Sequence, residues 1–175
     1  MNLSDGYPGR APAVLRPART GDVRAIRGLV DLYARDRRLL KKPTVTLYED
    51  VQEFVVAERD GVVVGCGALH VLWEDLAEVR TLAVAPTERG TGTGSHLLTT
   101  LLQRGRALGV ERVFCLTFEV GFFRRHGFEE IEGTPVPPDV YAELLESYDE
   151  GVAEFLDLEW VKPNTLGNSR MLAFL

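Results

Sequence analysis

Glu78 and Arg80 stand two residues apart in the run from Ala77 to Val84, and Arg89-Gly90-Thr91-Gly92-Thr93-Gly94-Ser95 follows shortly after it. Residues two apart on a strand share a face, and two charged side chains on an interior strand are unfavourable unless a cleft wets them or they pair. A carboxylate held there can take a proton from a nucleophile. The plain alternative is a salt bridge between Glu78 and Arg80 at the end of a sheet. The glycine run offers a different chemistry. Glycine lacks a Cβ, so its backbone can close on a ligand, and a helix start presents unpaired N–H groups and a positive dipole end. Together they make an anion cradle. A tight strand-to-helix turn without a ligand is the competing explanation, although three glycines between Gly90 and Gly94 exceed what one turn needs.

Two familiar cradles do not fit. A nucleotide-binding P-loop ends in Gly-Lys-Ser/Thr, whereas this run ends Gly94-Ser95 without a lysine. The dinucleotide fingerprint G-x-G-x-x-G fails on spacing, since Gly90, Gly92 and Gly94 alternate. What remains is Arg89-x-x-Gly92-x-Gly94. With 20 basic and 26 acidic residues the chain of 175 residues carries a net charge of −6, which argues against nucleic acid as a partner. An anion must then be held locally, by backbone donors. His70, His96 and His126 lack metal-ligand spacing, so no metal is expected. Cys66 and Cys115 lie in apolar strand-like runs and read as buried reduced thiols. Trp73 either walls a site or packs.

The elements that must position these residues follow from periodicity. Val14 to Ala18 reads as a strand, and Thr20-Gly21-Asp22 caps a helix bearing Ile26, Leu29, Val30 and Tyr33. Leu47, Val51 and Phe54 suggest a shorter helix. Phe54–Glu58 and Val62–Leu72 are strands joined by the hairpin signal Asp60-Gly61, and Ala77–Val84 continues the antiparallel meander. A helix from Ser95 to Leu108 ends at Gly109, and a buried fifth strand, Val113–Phe118, lies parallel to the fourth through that crossover. A short helix (Gly121–Arg125), a sixth strand (Glu129–Glu132), a helix (Asp139–Ser147) and a closing strand (Ser169–Leu175) complete the chain. Residues 1–12, with Gly and Pro but no apolar stretch, read as a flexible leader and not as a signal or transit peptide, and residues 13–175 are expected to form a single domain. No 18-residue apolar stretch is available to cross a membrane. Cytoplasmic residence is the default expectation.

The loop, the following helix, the fifth strand and Phe122-Phe123-Arg124-Arg125-His126-Gly127-Phe128 resemble the acetyl-CoA-dependent GNAT N-acetyltransferase superfamily, whose pyrophosphate loop reads Q/R-x-x-G-x-G/A. The resemblance runs from Val14 to the C-terminus. It implies an α/β (α+β) fold with a mixed, mostly antiparallel sheet of six to seven strands flanked by helices, splayed between strands four and five to admit the pantetheine arm. It also implies that the coenzyme, acetyl-CoA, lies against Leu82, Ala83 and Val84 and on Arg89, Gly90, Thr91, Gly92, Thr93, Gly94 and Ser95.

Lys41-Lys42, Gly65 to Leu72, Glu78 to Val84, Phe122 to Pro135 and Val161 to Leu172 are similar, more narrowly, to short-form bacterial N-acetylglutamate synthases. That similarity implies acetyl transfer to the α-amino group of L-glutamate, the entry step of arginine synthesis, with Glu78 as general base and a strand-five hydroxyl at Thr117. The superfamily often carries a tyrosine general acid where Phe123 stands here. Phenylalanine has no proton to give, so the role passes to Thr117, to water or to nobody. An amino-acid carboxylate calls for cations and hydroxyls, for which Lys41, Lys42, Arg80, Ser169 and Arg170 are the candidates. Two rival readings stay open: the same chemistry on another amine such as L-glutamine, and a non-catalytic acyl-CoA-binding sensor. The helix Asp139–Ser147 and the stretch Tyr148–Trp160 either cover a sheet face or form a homodimer contact.

Overall fold

The computed structural model of the chain describes residues 10–35, 42–158 and 168–175. In chain order its elements are β1 (Val14–Pro17), α1 (Val23–Arg35), α2 (Thr44–Glu49), β2 (Phe54–Arg59), β3 (Val62–Trp73), β4 (Leu76–Val84), α3 (Thr93–Leu108), β5 (Arg112–Thr117), α4 (Val120–Arg124), β6 (Glu129–Glu130), α5 (Pro138–Leu144), α6 (Glu150–Phe155) and β7 (Ser169–Phe174). The strands form one mixed sheet in the order β1-β2-β3-β4-β5-β7-β6. The β4/β5 pair is parallel, and the β1/β2, β2/β3, β5/β7 and β6/β7 pairs are antiparallel. The expected mixed, mostly antiparallel sheet is therefore present.

The chain divides into two compact units. The first comprises Met1–Leu69 and Thr81–Gln103. Its core sets the apolar stripe of α1, namely Val23, Ile26, Leu29 and Val30, against Leu47, Phe54, Val56, Cys66, Ala68 and Ala83. Asp60 and Gly61 both have positive φ, 52° and 76°, as a tight two-residue hairpin requires. Gly65 and Gly67 are small because α3 and β4 side chains pack tightly there. A Cβ at Gly67 would lie 2.9 Å from Cδ1 of both Leu101 and Leu82.

The second unit comprises His70–Arg80 and Arg104–Leu175. Leu72, Leu76, Phe114, Leu144, Val152, Phe155, Leu156 and Leu172 form its core. The Phe114 and Phe155 rings meet edge to face at 5.3 Å between centroids. The two-residue connection Glu74-Asp75 joins β3 to β4, a length that only antiparallel neighbours permit. Gly109, at φ 89°, ends α3.

Three local features differ from the sequence reading. Residues 150–155, which lacked an assigned element, form α6, started by the Asp149 side chain accepting from the Val152 N–H at 3.1 Å. β5 stops at Thr117, whose Oγ1 accepts from the Glu119 N–H at 2.8 Å and turns the chain. Thr81, inside β4, adopts φ 57°. A β-branched residue in that region is strained by roughly 1–3 kcal/mol, and no apolar alternation reveals it.

Candidate functional site

The glycine loop is built on a buried carboxylate. Glu88, 1 % exposed, precedes it in a short 3-10 turn. Arg59 donates to its two oxygens through Nε at 3.1 Å and Nη2 at 2.9 Å, and Arg10 adds Nη2 at 3.2 Å. The Thr93 hydroxyl donates to Glu88 Oε2 at 3.1 Å, and the Thr91 hydroxyl bonds the Glu88 carbonyl at 2.7 Å. This explains the alternation of residue types. The threonines turn inward onto Glu88, while Gly90 and Gly92, at φ 75° and 83°, provide left-handed backbone that side chains resist. Arg59's hydrogen bonds hold the Glu88 carboxyl below the usual carboxylate range against the opposing effect of burial.

α3 begins at Thr93, and the His96 N–H reaches the Gly92 carbonyl at 3.0 Å. Among the described residues, the N–H groups of Gly92, Gly94 and Ser95 have no backbone acceptor. They form the first turn of a 16-residue helix. Exposed amides of this kind, with the helix dipole behind them, bind phosphate oxygens, and each charge-assisted bond contributes about 1.5–3 kcal/mol. Ala83 is buried on the strand leading here, and Leu82 and Val84 are half-buried.

The second unit holds a compact charged group. Arg80 donates to Glu78 Oε2 through Nε at 3.1 Å and Nη2 at 2.6 Å. It also donates to both oxygens of Asp149, Nη1 to Oδ2 at 3.0 Å and Nη2 to Oδ1 at 2.8 Å. His70 Nε2 lies 3.6 Å from Asp149 Oδ2. The side chains of Glu78 and Arg80 are only 6 % and 10 % exposed. Burial pushes the Asp149 carboxyl up, but Arg80 and His70 pull it down further, to about 2. Burial works against the Arg80 charge, and Glu78 and Asp149 more than offset it, leaving its pKa raised. Glu78 and Arg80 thus share a face, as their spacing predicts, and they are bonded to each other.

β4 pairs with β5 over three positions only, Leu76↔Arg112, Ala77↔Val113 and Glu78↔Phe114. Beyond Glu78 the ladder ends, while β5 goes on to pair with β7 as far as Thr117↔Ser169. Glu78 therefore sits on the last paired rung of the parallel ladder.

Residues 26–128 match the Acetyltransferase (GNAT) family. The chain belongs to that family. An amino-acid acetyltransferase of Mycobacterium tuberculosis is 62 % identical over 165 residues, which is 93 % of this chain and 94 % of the relative. A Mycobacterium tuberculosis crystal structure in complex with CoA and NLQ, also 62 % identical, superposes with a TM-score of 0.89 and is covered to 99 %. The N-acetylglutamate synthase of Neisseria gonorrhoeae, complexed with coenzyme A and N-acetyl-glutamate, shares the fold at a TM-score of 0.75 and 24 % identity, this chain spanning 35 % of its length.

The remaining residues singled out on the GNAT pattern are scattered in role. Thr117 is buried at the end of β5, with its oxygen already accepting from Glu119. Phe123, in the usual tyrosine position, packs edge-on against Phe122 and Phe128 and is buried. Ser169 donates to Glu130 Oε2 at 3.0 Å. Arg170 clamps backbone, donating to the carbonyls of Glu154 at 3.2 Å, Gly133 at 3.0 Å and Phe155, with its guanidinium 5.8 Å from the Phe114 ring centre. The Lys42 carbonyl accepts from Arg27. Lys41 lies outside the described residues. Among the described residues no cluster of His, Cys, Asp and Glu is placed to hold a metal ion, and no helix is long and apolar enough to cross a membrane.

Sequence reasoning missed Asp149, Gly151 and Glu88. A Cβ on Gly151 would overlap the Glu78 carboxylate and come within 2.6 Å of Arg80 Nη2, so any larger residue here would push those side-chain ends aside. Asp149 carries a usable signal, since an aspartate three residues before Val152 is a helix cap, but nothing local points it at Arg80.

Proposed function

We propose that the chain transfers the acetyl group of acetyl-CoA to the α-amino group of L-glutamate, with Glu78 as general base. One observation carries this reading: a buried carboxylate stands on the last paired rung of the parallel ladder. The high identity to an amino-acid acetyltransferase and the CoA bound in the Mycobacterium tuberculosis structure support it.

The amides of Arg89 to Ser95 hold the coenzyme pyrophosphate, and Leu82 to Val84 flank the pantetheine. Glu78, directly or through a water, takes a proton from the substrate ammonium. The neutral amine then attacks the thioester carbonyl carbon, forming the C–N bond, and the tetrahedral intermediate collapses with cleavage of the C–S bond. The proton that the attacking nitrogen loses as the amide forms passes to the departing sulfur, relayed by the Thr117 hydroxyl or by a water, or goes to solvent while CoA leaves unassisted as thiolate, since Phe123 has no proton to offer. The substrate carboxylates meet Lys41, Lys42, Arg80, Ser169 and Arg170. A guanidinium has five N–H donors, and the backbone bonds of Arg170 leave part of that set for a carboxylate. A place in arginine synthesis and in the cytoplasm belongs to the same proposal.

The test is thiol release from acetyl-CoA with L-glutamate, L-glutamine, other amino acids and polyamines as acceptors. L-Glutamate should give the highest kcat/KM, and Glu78→Gln should lower kcat by about 10²–10⁴ with acetyl-CoA affinity unchanged. A preference for L-glutamine or another amine moves the substrate. No turnover with any amine, together with retained CoA binding, leaves a sensor.

A further inference from the structure

Asp149 is linked to Glu78 through Arg80. Its two oxygens take Nη1 and Nη2 of the guanidinium, while Nε and Nη2 donate to Glu78 Oε2. Asp149 Oδ1 also accepts from the Val152 N–H, so the α6 backbone fixes where it stands. Gly151, in the first turn of α6, supplies no side chain where one would strike Glu78.

A carboxylate salt-bridged to a guanidinium that has no other anion is a poor base, because the cation favours its ionised form. Here one guanidinium is divided between two carboxylates, and the three groups together carry a net negative charge. We propose that Asp149 is a positioning residue for acetyl transfer: it fixes Arg80 and, by sharing that cation, keeps Glu78 basic enough to take the amine's proton. This rests on Glu78 being the base. Around this carboxylate stand Arg80 on β4 itself, bonded to it, Cys115 on β5, which feels its charge, and, across Arg80, Asp149 at the start of α6 with His70 on β3 beside it. The Cys115 thiol is pushed up by its burial and by the Glu78 charge, and so stays neutral. All but Asp149 are unchanged in the variants below.

The experiment is the pH dependence, from about pH 5 to 10, of kcat and kcat/KM for the full chain with acetyl-CoA and L-glutamate. Wild type, Glu78→Gln, Asp149→Asn and Asp149→Ser are compared. Asparagine and serine both cap helices, so α6 keeps its start while the charge is removed. Glu78→Gln abolishes the acid limb of the profile, which assigns that limb. Both Asp149 variants move it down by about one pH unit and lower the plateau kcat by about threefold to tenfold, with the KM for acetyl-CoA unchanged. A limb left at its wild-type position in both variants overturns the proposal, even where kcat falls, because loss of packing alone lowers rate without moving a titration. A limb that persists in Glu78→Gln removes the base itself, a failure distinguishable from the first.

Discussion

Arg80 and Asp149 are joined by two hydrogen bonds, at 3.0 and 2.8 Å, across 69 residues of sequence. The first turn of a six-residue helix thereby lies against a strand carrying Glu78. Gly151, two residues past the cap, is where an added Cβ would meet the Glu78 carboxylate.

Gly151→Ala places a methyl group onto the Glu78 carboxylate, so either the carboxylate or α6 must shift. A displacement of about 1 Å at a reacting group lowers rate by about 10²-fold. Kinetics should show kcat reduced on that order and the KM for acetyl-CoA little changed. Wild-type kcat in this variant would show that the Glu78 carboxylate accommodates the methyl group without cost to the reaction.

Gly92→Val tests the cradle. At φ 83° a β-branched residue forces the loop into another conformation and turns its amides away. Loss of even one or two charge-assisted bonds weakens acetyl-CoA binding by at least about tenfold. Isothermal titration calorimetry measures it, and an unchanged Kd would remove the loop as the pyrophosphate site.

Arg59 and Glu88 form a buried pair beneath that loop. Arg59→Met leaves the Glu88 carboxylate with the half-exposed Arg10 as its cation and should destabilise the fold by about 3 kcal/mol in urea denaturation. Glu88→Gln in the same chain should recover part of that loss, since it removes the stranded charge. Additive losses in the double variant would show that the two side chains are not coupled.

Acid should release the α6 contact. The Asp149 carboxyl lies at about 2 in the folded chain against 3.8 for an ordinary aspartate. A carboxyl lowered on folding stabilises the fold above its unfolded value, and that contribution is lost as pH falls through the folded value. Roughly 2 kcal/mol therefore disappears between about pH 4 and pH 2. Stability measured by denaturant over that range should fall less steeply in Asp149→Asn than in wild type.

Apolar periodicity and turn chemistry were sufficient to place the helix at α1, the Asp60-Gly61 hairpin, the β4–α3–β5 crossover and the short helix at Phe122. Those signals are local: a stripe every three or four residues, an alternation every two, a glycine where φ is positive. The same is true of the loop, because the glycines at 90 and 92 and the helix behind them sit in one short stretch of chain. Glu78 and Arg80 were legible as a pair for the same reason, being two apart on a strand.

What tertiary structure decided lies where distant segments meet. The insertion of β7 between β5 and β6, the end of the β4/β5 ladder at Glu78, and the burial of Glu88 under Arg59 each depend on residues far apart in sequence. Arg170 reads as a carboxylate grip from its type and its strand, yet in the fold three of its donors serve the carbonyls of Gly133, Glu154 and Phe155. By itself the sequence determined which groups could accept a proton or hold an anion. Packing alone decided that one arginine is shared by Glu78 and Asp149, because a charge that leaves water must find partners wherever the folded chain happens to bring them.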